Sequence, residues 1–151
     1  MGLQPVTVLI QRVPGAEDLP LPAYATPGSA GIDLLAAVGS KIILQPGERK
    51  LISTGIRLAI PEGYEGQVRP RSGLALRNGI SIVNSPGTID FDYRGVVQVI
   101  LINLSDEPFT IQRGDRIAQL VIAPTLCANL VEADSLPETT RGDGGFGHTG
   151  V

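Results

Sequence analysis

The feature that most constrains the fold of this chain is a series of short β-prone runs separated by turn signals. Connectors such as PG, PEG, RNG, SPG, SDEP and RGD divide the sequence at intervals that suit short strands. This spacing is typical of an all-β sandwich, barrel or jelly roll. The predicted strands lie in VTVLIQRV, KIILQ, RKLISTGIRLAI, EGQVRPR, ISIV, GVVQVILINL, FTIQ, DRIAQLVIAP and ANLVEA.

The segment SGLALRNG favours one short helix within this β pattern. Ser72 could cap its first turn, and Asn78 or Gly79 could end it. The 151 residues fit a single domain, which at this size can bury roughly 70% of its unfolded surface. Because aromatic residues make up only 4% of the chain, we expect a core of Ile, Val, Leu and Ala.

Charge and cysteine content exclude several classes of partner and location. A net charge of -3 and a pI near 5.1 argue against a surface that holds long nucleic acids, which would carry a basic stripe. The sequence shows no secretory leader and no run long enough to span a membrane. The single cysteine, Cys127, lies in an apolar stretch and is predicted to be a core residue. We therefore predict a cytoplasmic protein that binds neither nucleic acid nor membrane.

The end of the chain differs in composition from the rest. Among residues 141–150, five are glycine and Phe146 is the one large apolar side chain. Such a segment cannot pack a core and is predicted to be a mobile tail. We accordingly divide the chain into a β domain, residues 1–133, and a C-terminal arm, residues 134–151.

The chemistry of the chain is concentrated in five polar, glycine-containing islands. The GxxxxGK[ST] loop, a GxGxxG sequence after a strand, the HExxH sequence and any Cys/His ligand set are all missing, so the usual phosphate, dinucleotide and zinc sites are excluded. The islands are SAGIDLLA (29–36), RPRSGLA (69–75), VNSPGTIDFDYRG (83–95), RGDRIAQL (113–120) and RGDGGFGHTG (141–150).

The third island places Asp90 and Tyr93 between a turn and an apolar strand. Residues three apart in an unbroken strand point to opposite faces, so the chain must bend between them if both contact one ligand. Gly87 and Gly95 would permit a hairpin that brings backbone amides close to a flat base. The alternative is a surface hairpin whose acidic side chains are simply solvated.

The second island can hold phosphate, because Arg71 stands beside Ser72 and Gly73 at the predicted helix start. The alternative is a plain helix cap with a solvated arginine. In the first island, Asp33 falls within an apolar strand, where an unpaired carboxylate would be costly. It either lies near a metal's water shell or pairs with an arginine of the core.

The fourth island contains Gln119, an uncharged donor and acceptor that can hold a phosphate oxygen or a water molecule. Asp115 and Arg116 in the same island are predicted to form a structural ion pair near a turn.

The order and composition of the five islands closely resemble the trimeric dUTPase family, whose members hydrolyse dUTP to dUMP and diphosphate. The resemblance runs from Ser29 to Gly150. It implies a jelly-roll-like β-barrel or sandwich that forms a homotrimer with shared active sites. The implied activity supplies the precursor of dTMP and keeps uracil out of DNA.

The resemblance also implies a role for each island. Asp90 positions and activates the attacking water, and Tyr93 sits under the deoxyribose and excludes a 2'-hydroxyl. Asn84 and the strand backbone, with Gln98 nearby, bind the uracil edge. The implied substrate-binding residues are Arg71, Ser72, Gly73, Asn84, Gly87, Thr88, Ile89, Asp90, Tyr93, Gln98, Gln119, Arg141, Phe146, Gly147, His148 and Thr149.

Mg²⁺ is the implied cofactor, carried mainly by the triphosphate and retaining several waters. The resemblance implies that Asp33 contacts this Mg²⁺ indirectly, through a water molecule. The tail closes over a neighbouring site in this family, with Phe146 stacked on uracil and His148 in contact with phosphate. The site thus takes its loop, its phosphate-binding residues and its tail from different chains.

Two other functions remain open from the sequence. A dCTP deaminase, or a bifunctional deaminase and dUTPase, shares the fold but needs a general base suited to attack at C4, and the third island contains no Glu. A non-enzymatic β-sandwich trimer could keep the nucleotide pocket without turnover. The presence of Asp90, Gln119 and the full tail argues against it.

Overall fold

The computed structural model describes residues 5–148, which form ten strands and one short helix. The elements in chain order are β1 Leu9–Arg12, β2 Ile32–Leu35, β3 Ile42–Leu44, β4 Arg49–Ala59, β5 Tyr64–Arg69, α1 Ser72–Asn78, β6 Ile80–Ile82, β7 Gly87–Ile89, β8 Val96–Asn103, β9 Phe109–Ile111 and β10 Arg116–Pro124. The all-β prediction with one short helix is confirmed.

The strands form two four-stranded antiparallel sheets and one two-stranded sheet. Their orders are β1-β4-β8-β6, β2-β10-β5-β7 and β3-β9. Buried side chains from both large sheets, such as Val99 of β8 and Leu120 of β10, belong to one apolar cluster. Each such side chain contributes about 1.5–3 kcal/mol when it is fully buried. The core consists of Ile, Val, Leu and Ala, as predicted from the low aromatic content.

Strand alternation decides which side chains of β8 are available to a ligand. Val97, Val99 and Leu101 are buried and face the core. Gln98 lies on the opposite face and is exposed, as a period of two requires. Its backbone pairs with Ser53 of β4.

The segment that contains the third island passes between the two large sheets. β6 and β8 belong to one sheet, and β7 between them belongs to the other, where it pairs with β5. The predicted hairpin is therefore wrong, because β7 and β8 lie in different sheets. The local turn signals predicted a reversal of the chain, but the partner of each strand depends on long-range pairing.

The helix ends where the sequence predicts and begins differently. Gly79 ends α1 in the left-handed conformation with φ 63°, which glycine adopts without steric cost. Arg71 is the N-cap residue and makes no side-chain capping hydrogen bond, while Ser72 is the first helical residue. The capping role predicted for Ser72 is wrong, because the helix starts one residue earlier than a serine cap would require.

Two predictions for the segment after β10 are also wrong. ANLVEA forms no strand in the structure, and Cys127 is exposed instead of buried. A β-prone sequence becomes a strand only where a partner edge is available, and this segment leaves the core at Pro124.

Within residues 5–148, no helix combines the length and the apolarity that crossing a membrane requires.

Candidate active site

The loop between β7 and β8, residues 90–95, contains the bend that the sequence requires. The Tyr93 N–H donates to the carbonyl oxygen of Asp90 at 3.1 Å, which closes a turn between the two residues. The Arg94 guanidinium donates to the carbonyl oxygens of Phe91 at 2.6 Å and Tyr93 at 2.9 Å. These bonds hold the turn, and they leave the side chain of Asp90 exposed to solvent.

The ring of Tyr93 lies against Gly95. Its hydroxyl donates to the carbonyl oxygen of Val96 at 3.1 Å. A Cβ atom at position 95 would lie 2.9 Å from the ring Cε2, closer than real contacts allow, so a side chain there would displace the Tyr93 ring. Tyr93 is 46% exposed, and its ring offers a flat apolar face at the end of the loop.

The start of the same segment brings Asn84 beside Gly87. A Cβ at position 87 would lie 3.3 Å from Asn84 Nδ2. Thr88 is exposed, whereas Ile89 is buried in the core at 6% exposure. Ile89 can therefore contact a ligand only through its backbone.

A second group of predicted residues meets in a polar cavity of about 430 Å³ between β2, β10 and the start of α1. Gly31 and Asp33 lie on the β2 side, and Gln119 lies on β10. Arg71, Ser72 and Gly73 complete the predicted set. The structure thus brings the first, second and fourth islands together.

Asp33 is held by two arginines at this cavity. Arg71 Nε lies 2.8 Å from Asp33 Oδ1, and Arg116 Nη1 lies 3.5 Å from Asp33 Oδ2. The predicted pairing of Asp33 with arginine is confirmed, but both arginines are partly exposed and neither belongs to the core. Three arginines but one carboxylate line the cavity, since Arg77 is also present, so the cavity is electropositive and suited to an anion.

Gln119 enters the cavity because β10 contains a bulge. The pairing of β10 with β2 shifts register between Arg116 and Ala118, after which Gln119 lies opposite Asp33. The Gln119 Nε2 group donates to the carbonyl oxygen of Pro70 at 2.8 Å. This bond fixes the side-chain amide beside the residues of the second island.

The remaining residues of the fourth island have structural contacts. Asp115 Oδ2 accepts a hydrogen bond from the backbone N–H of Gln112 at 2.7 Å, and Arg116 pairs with Asp33. The predicted Asp115–Arg116 ion pair is therefore wrong. Arg113 binds Asp18 through Nε at 2.9 Å, and this hydrogen bond holds the pKa of Asp18 below its ordinary value.

The described part of the tail forms tight turns by itself. Arg141 Nε donates to the carbonyl oxygen of Gly144 at 2.7 Å, and the His148 N–H donates to that of Gly145 at 3.0 Å. Arg141, Gly147 and His148 line an open cavity of about 440 Å³, and Phe146 is fully exposed. Thr149, which was also predicted to bind substrate, lies outside the described residues.

The predicted site residues therefore fall into three separate groups in one chain. The lining of the polar cavity includes neither Asp90 nor Tyr93 among the described residues. Asp90 directly follows β7, whereas Gln119 lies on β10, two strands away in the sheet β2-β10-β5-β7, and two strand spacings amount to about 10 Å. The two residues also lie near opposite ends of β5, which separates them further along the strand direction. The 90–95 loop, the polar cavity and the tail do not form one site within a single chain.

Sequence reasoning missed Arg77 as a cavity residue. Its Nη2 lies 2.8 Å from the position that a Cβ of residue 73 would occupy, so the guanidinium rests on Gly73. The spacing of four residues on a helix could have indicated this contact.

Comparison with known proteins supports a single family. A family model described as dUTPase matches residues 17–150. The deoxyuridine 5'-triphosphate nucleotidohydrolase of Methylocella silvestris is 60% identical over 150 residues, which cover 98% of this chain and 94% of that protein.

Solved structures agree with this comparison. A mutant dUTPase of Staphylococcus bacteriophage 80alpha, with dUpNHpp, has a TM-score of 0.84 and 26% identity, and covers 96% of this chain and 99% of that chain. A mutant dUTPase from phage phi11 of S. aureus, described as revealing the coordination of a structural Mg(II) ion, has a TM-score of 0.75 and 25% identity, and covers 85% of this chain and 97% of that chain.

Proposed function

This chain belongs to the dUTPase family and hydrolyses dUTP to dUMP and diphosphate, and on that premise we propose how its own residues carry out the reaction. The observation that carries the proposal is the polar cavity, in which Arg71, Ser72 and Gln119 meet beside the Asp33 carboxylate. Guanidinium, hydroxyl and amide groups are donors that suit a phosphate chain. The cavity is the phosphate-binding part of the site.

The 90–95 loop and the strand before it bind the deoxyuridine. Asn84, the backbone of residues 87–89 and that of Gln98 hydrogen-bond the uracil edge. The exposed ring of Tyr93 lies under the deoxyribose and leaves no room for a 2'-hydroxyl. Support for this role comes from the contact of the ring with Gly95 and its bond to Val96, which together hold the ring in one place.

Asp90 orients the attacking water. A carboxylate is a weak base, so its contribution is to accept a hydrogen bond from the water and to place negative charge beside it. The water oxygen bonds to the α-phosphorus while the bond from that phosphorus to the oxygen bridging to the β-phosphate breaks; diphosphate leaves, and the proton lost by the water passes to solvent. Arg71 and Gln119 stabilise the charge that develops on the phosphate oxygens.

Mg²⁺ fits this site only as a partner of the substrate. Among residues 5–148, no cluster of three or more His, Cys, Asp or Glu side chains is placed to hold a metal ion. Each oxygen of Asp33 accepts one arginine N–H and keeps lone pairs for a water. When bound to the triphosphate, Mg²⁺ neutralises its charge and fixes its conformation. Asp33 would hold a water of the bound metal.

We infer that the active sites are shared in a homotrimer. Asp90 and the groups that bind the α-phosphate must reach the same phosphorus atom, yet in one chain Asp90 follows β7 while Gln119 lies on β10, two strands away in the same sheet. In a trimer, the 90–95 loop of one chain can lie beside the polar cavity of a second chain, so that both reach the same phosphorus atom. The tail of a third chain then covers the ligand. The apolar Leu126, Leu130 and Val131, exposed at 97%, 91% and 78%, support burial against a second copy.

The alternative enzymes in this fold are less well supported. A deaminase needs a general base next to C4 of cytosine, and the residues that follow Gly87 in the loop provide Asp but no Glu. A binding protein without turnover would not need Asp90 beside the nucleoside. The cytoplasmic location stays a prediction.

Diphosphate release tests the function directly. We expect release with dUTP and Mg²⁺, loss of most activity when EDTA removes the metal, and little release with dCTP, dTTP or UTP. Ammonia release from dCTP would support the deaminase, and binding of dUTP without release of diphosphate would support the non-enzymatic trimer.

The role of Tyr93 has its own test. In Tyr93→Ala, the preference for dUTP over UTP in kcat/KM should narrow by about 10-fold or more, because the steric barrier to the 2'-hydroxyl is lost. The narrower preference should result mainly from faster turnover of UTP. Tyr93→Phe is the matched control, since it keeps the ring and removes only the bond to Val96. Unchanged discrimination in Tyr93→Ala would mean that another residue excludes ribonucleotides.

A further inference from the structure

Gly31 lies directly under the side chain of Gln119. It immediately precedes β2, and Gln119 of β10 pairs with Asp33, two residues further along β2. Residues 31 and 33 share one face because side chains alternate along a strand. A Cβ atom at position 31 would overlap Oε1 of Gln119 and would lie 3.0 Å from its Cδ.

The hydrogen bond to Pro70 shows which atom of the Gln119 side-chain amide is the nitrogen and which is the oxygen. A carbonyl oxygen can only accept, so the group 2.8 Å from Pro70 O is the NH₂. Oε1 is therefore the atom that lies against Gly31. In this orientation the amide keeps a second N–H that can donate to an anion in the polar cavity, which Gln119 lines.

We propose that Gly31 is a positioning residue. Because it has no side chain, it leaves space in which the Gln119 amide keeps its bond to Pro70 and offers its second N–H to the phosphate. The inference rests on the proposed role of Gln119 in phosphate binding. A methyl group at position 31 would displace the amide, break its bond to Pro70 and remove the donor.

The fold itself should tolerate alanine at this position. Gly31 is not among the residues of positive φ, so alanine meets no backbone strain there. The atoms that a methyl group would meet belong to Gln119: Oε1 is the far end of its flexible side chain, and Cβ, at 3.3 Å, needs to move by only a few tenths of an ångström. Function and stability should therefore respond differently to Gly31→Ala.

A double-mutant cycle tests the inference. Gly31→Ala should lower kcat roughly 10- to 100-fold, as expected for a small displacement of a group that binds the transition state. Its unfolding temperature should stay within about 4 °C of the native value. In a Gln119→Ala background the same substitution should have little further effect, because Oε1 and Cδ are gone and only Cβ, at 3.3 Å, remains near the added methyl group.

Gly39→Ala is the matched control, since a Cβ at position 39 meets nothing within 4 Å and the residue lies outside the polar cavity. It should keep the native kcat. The inference is wrong if Gly31→Ala keeps the native kcat, slows both backgrounds by the same factor, or lowers the unfolding temperature much further. Native turnover in Gln119→Ala would instead overturn the proposed role of Gln119, and the inference with it.

Discussion

Replacing Asp90 with Asn should lower kcat by about 10³-fold or more while KM for dUTP changes little. Asparagine keeps the size and much of the hydrogen-bonding shape of the side chain, but it removes the negative charge and one acceptor oxygen. The exposed position of Asp90 at the turn of the 90–95 loop means that the fold should not depend on this carboxylate. Steady-state kinetics with dUTP and saturating Mg²⁺ measure the effect.

Asp92→Asn is the matched control, because Asp92 lies in the same loop, is also exposed and loses the same charge. It should keep kcat within a few-fold of the native value. If both variants slow turnover equally, the rate depends on the total charge of the loop and not on the particular position of Asp90. Native kcat in Asp90→Asn would remove Asp90 from the mechanism.

The second large effect concerns the tail and the assembly together. A protein that lacks residues 141–151 should fold, form a trimer and turn over poorly, because it has lost Arg141, Phe146 and the backbone amides around them. This variant keeps Asp90. The full-length Asp90→Asn protein has the complementary defect, since it keeps the tail and lacks the carboxylate.

Mixing the two proteins tests whether one chain completes the site of another. Under conditions that dissociate and reform trimers, a site recovers when its loop comes from the truncated protein and its tail from the substituted protein. With equal amounts and random assembly, about a quarter of the sites should regain both parts. Activity should therefore rise well above the sum of the two parent proteins.

Native mass spectrometry provides the control, because mixed trimers have intermediate masses. A tail that acts only on its own chain would restore nothing, since every chain in the mixture is defective. Mixed trimers without recovered activity would contradict shared sites. Recovery without exchange of subunits would point to contamination with native protein.

The sequence by itself determined the chemical groups of the site and the class of the fold. Turn residues and β-prone runs are local signals, and they predicted strands such as β4, β8 and β10 together with the end of the helix at Gly79. The bend between Asp90 and Tyr93 was predicted on the condition that both contact one ligand, because strand alternation places residues three apart on opposite faces. The five islands in their order identified the family.

Only the tertiary structure decided which groups meet. Strand pairing depends on residues far apart in the chain, so the turn signals around β7 could not show that β7 joins β5 in the other sheet. For the same reason, no local pattern placed Asp33 between Arg71 and Arg116, or Gln119 above Gly31. Cys127 is exposed and ANLVEA forms no strand, because an apolar sequence favours burial but does not specify the surface that buries it.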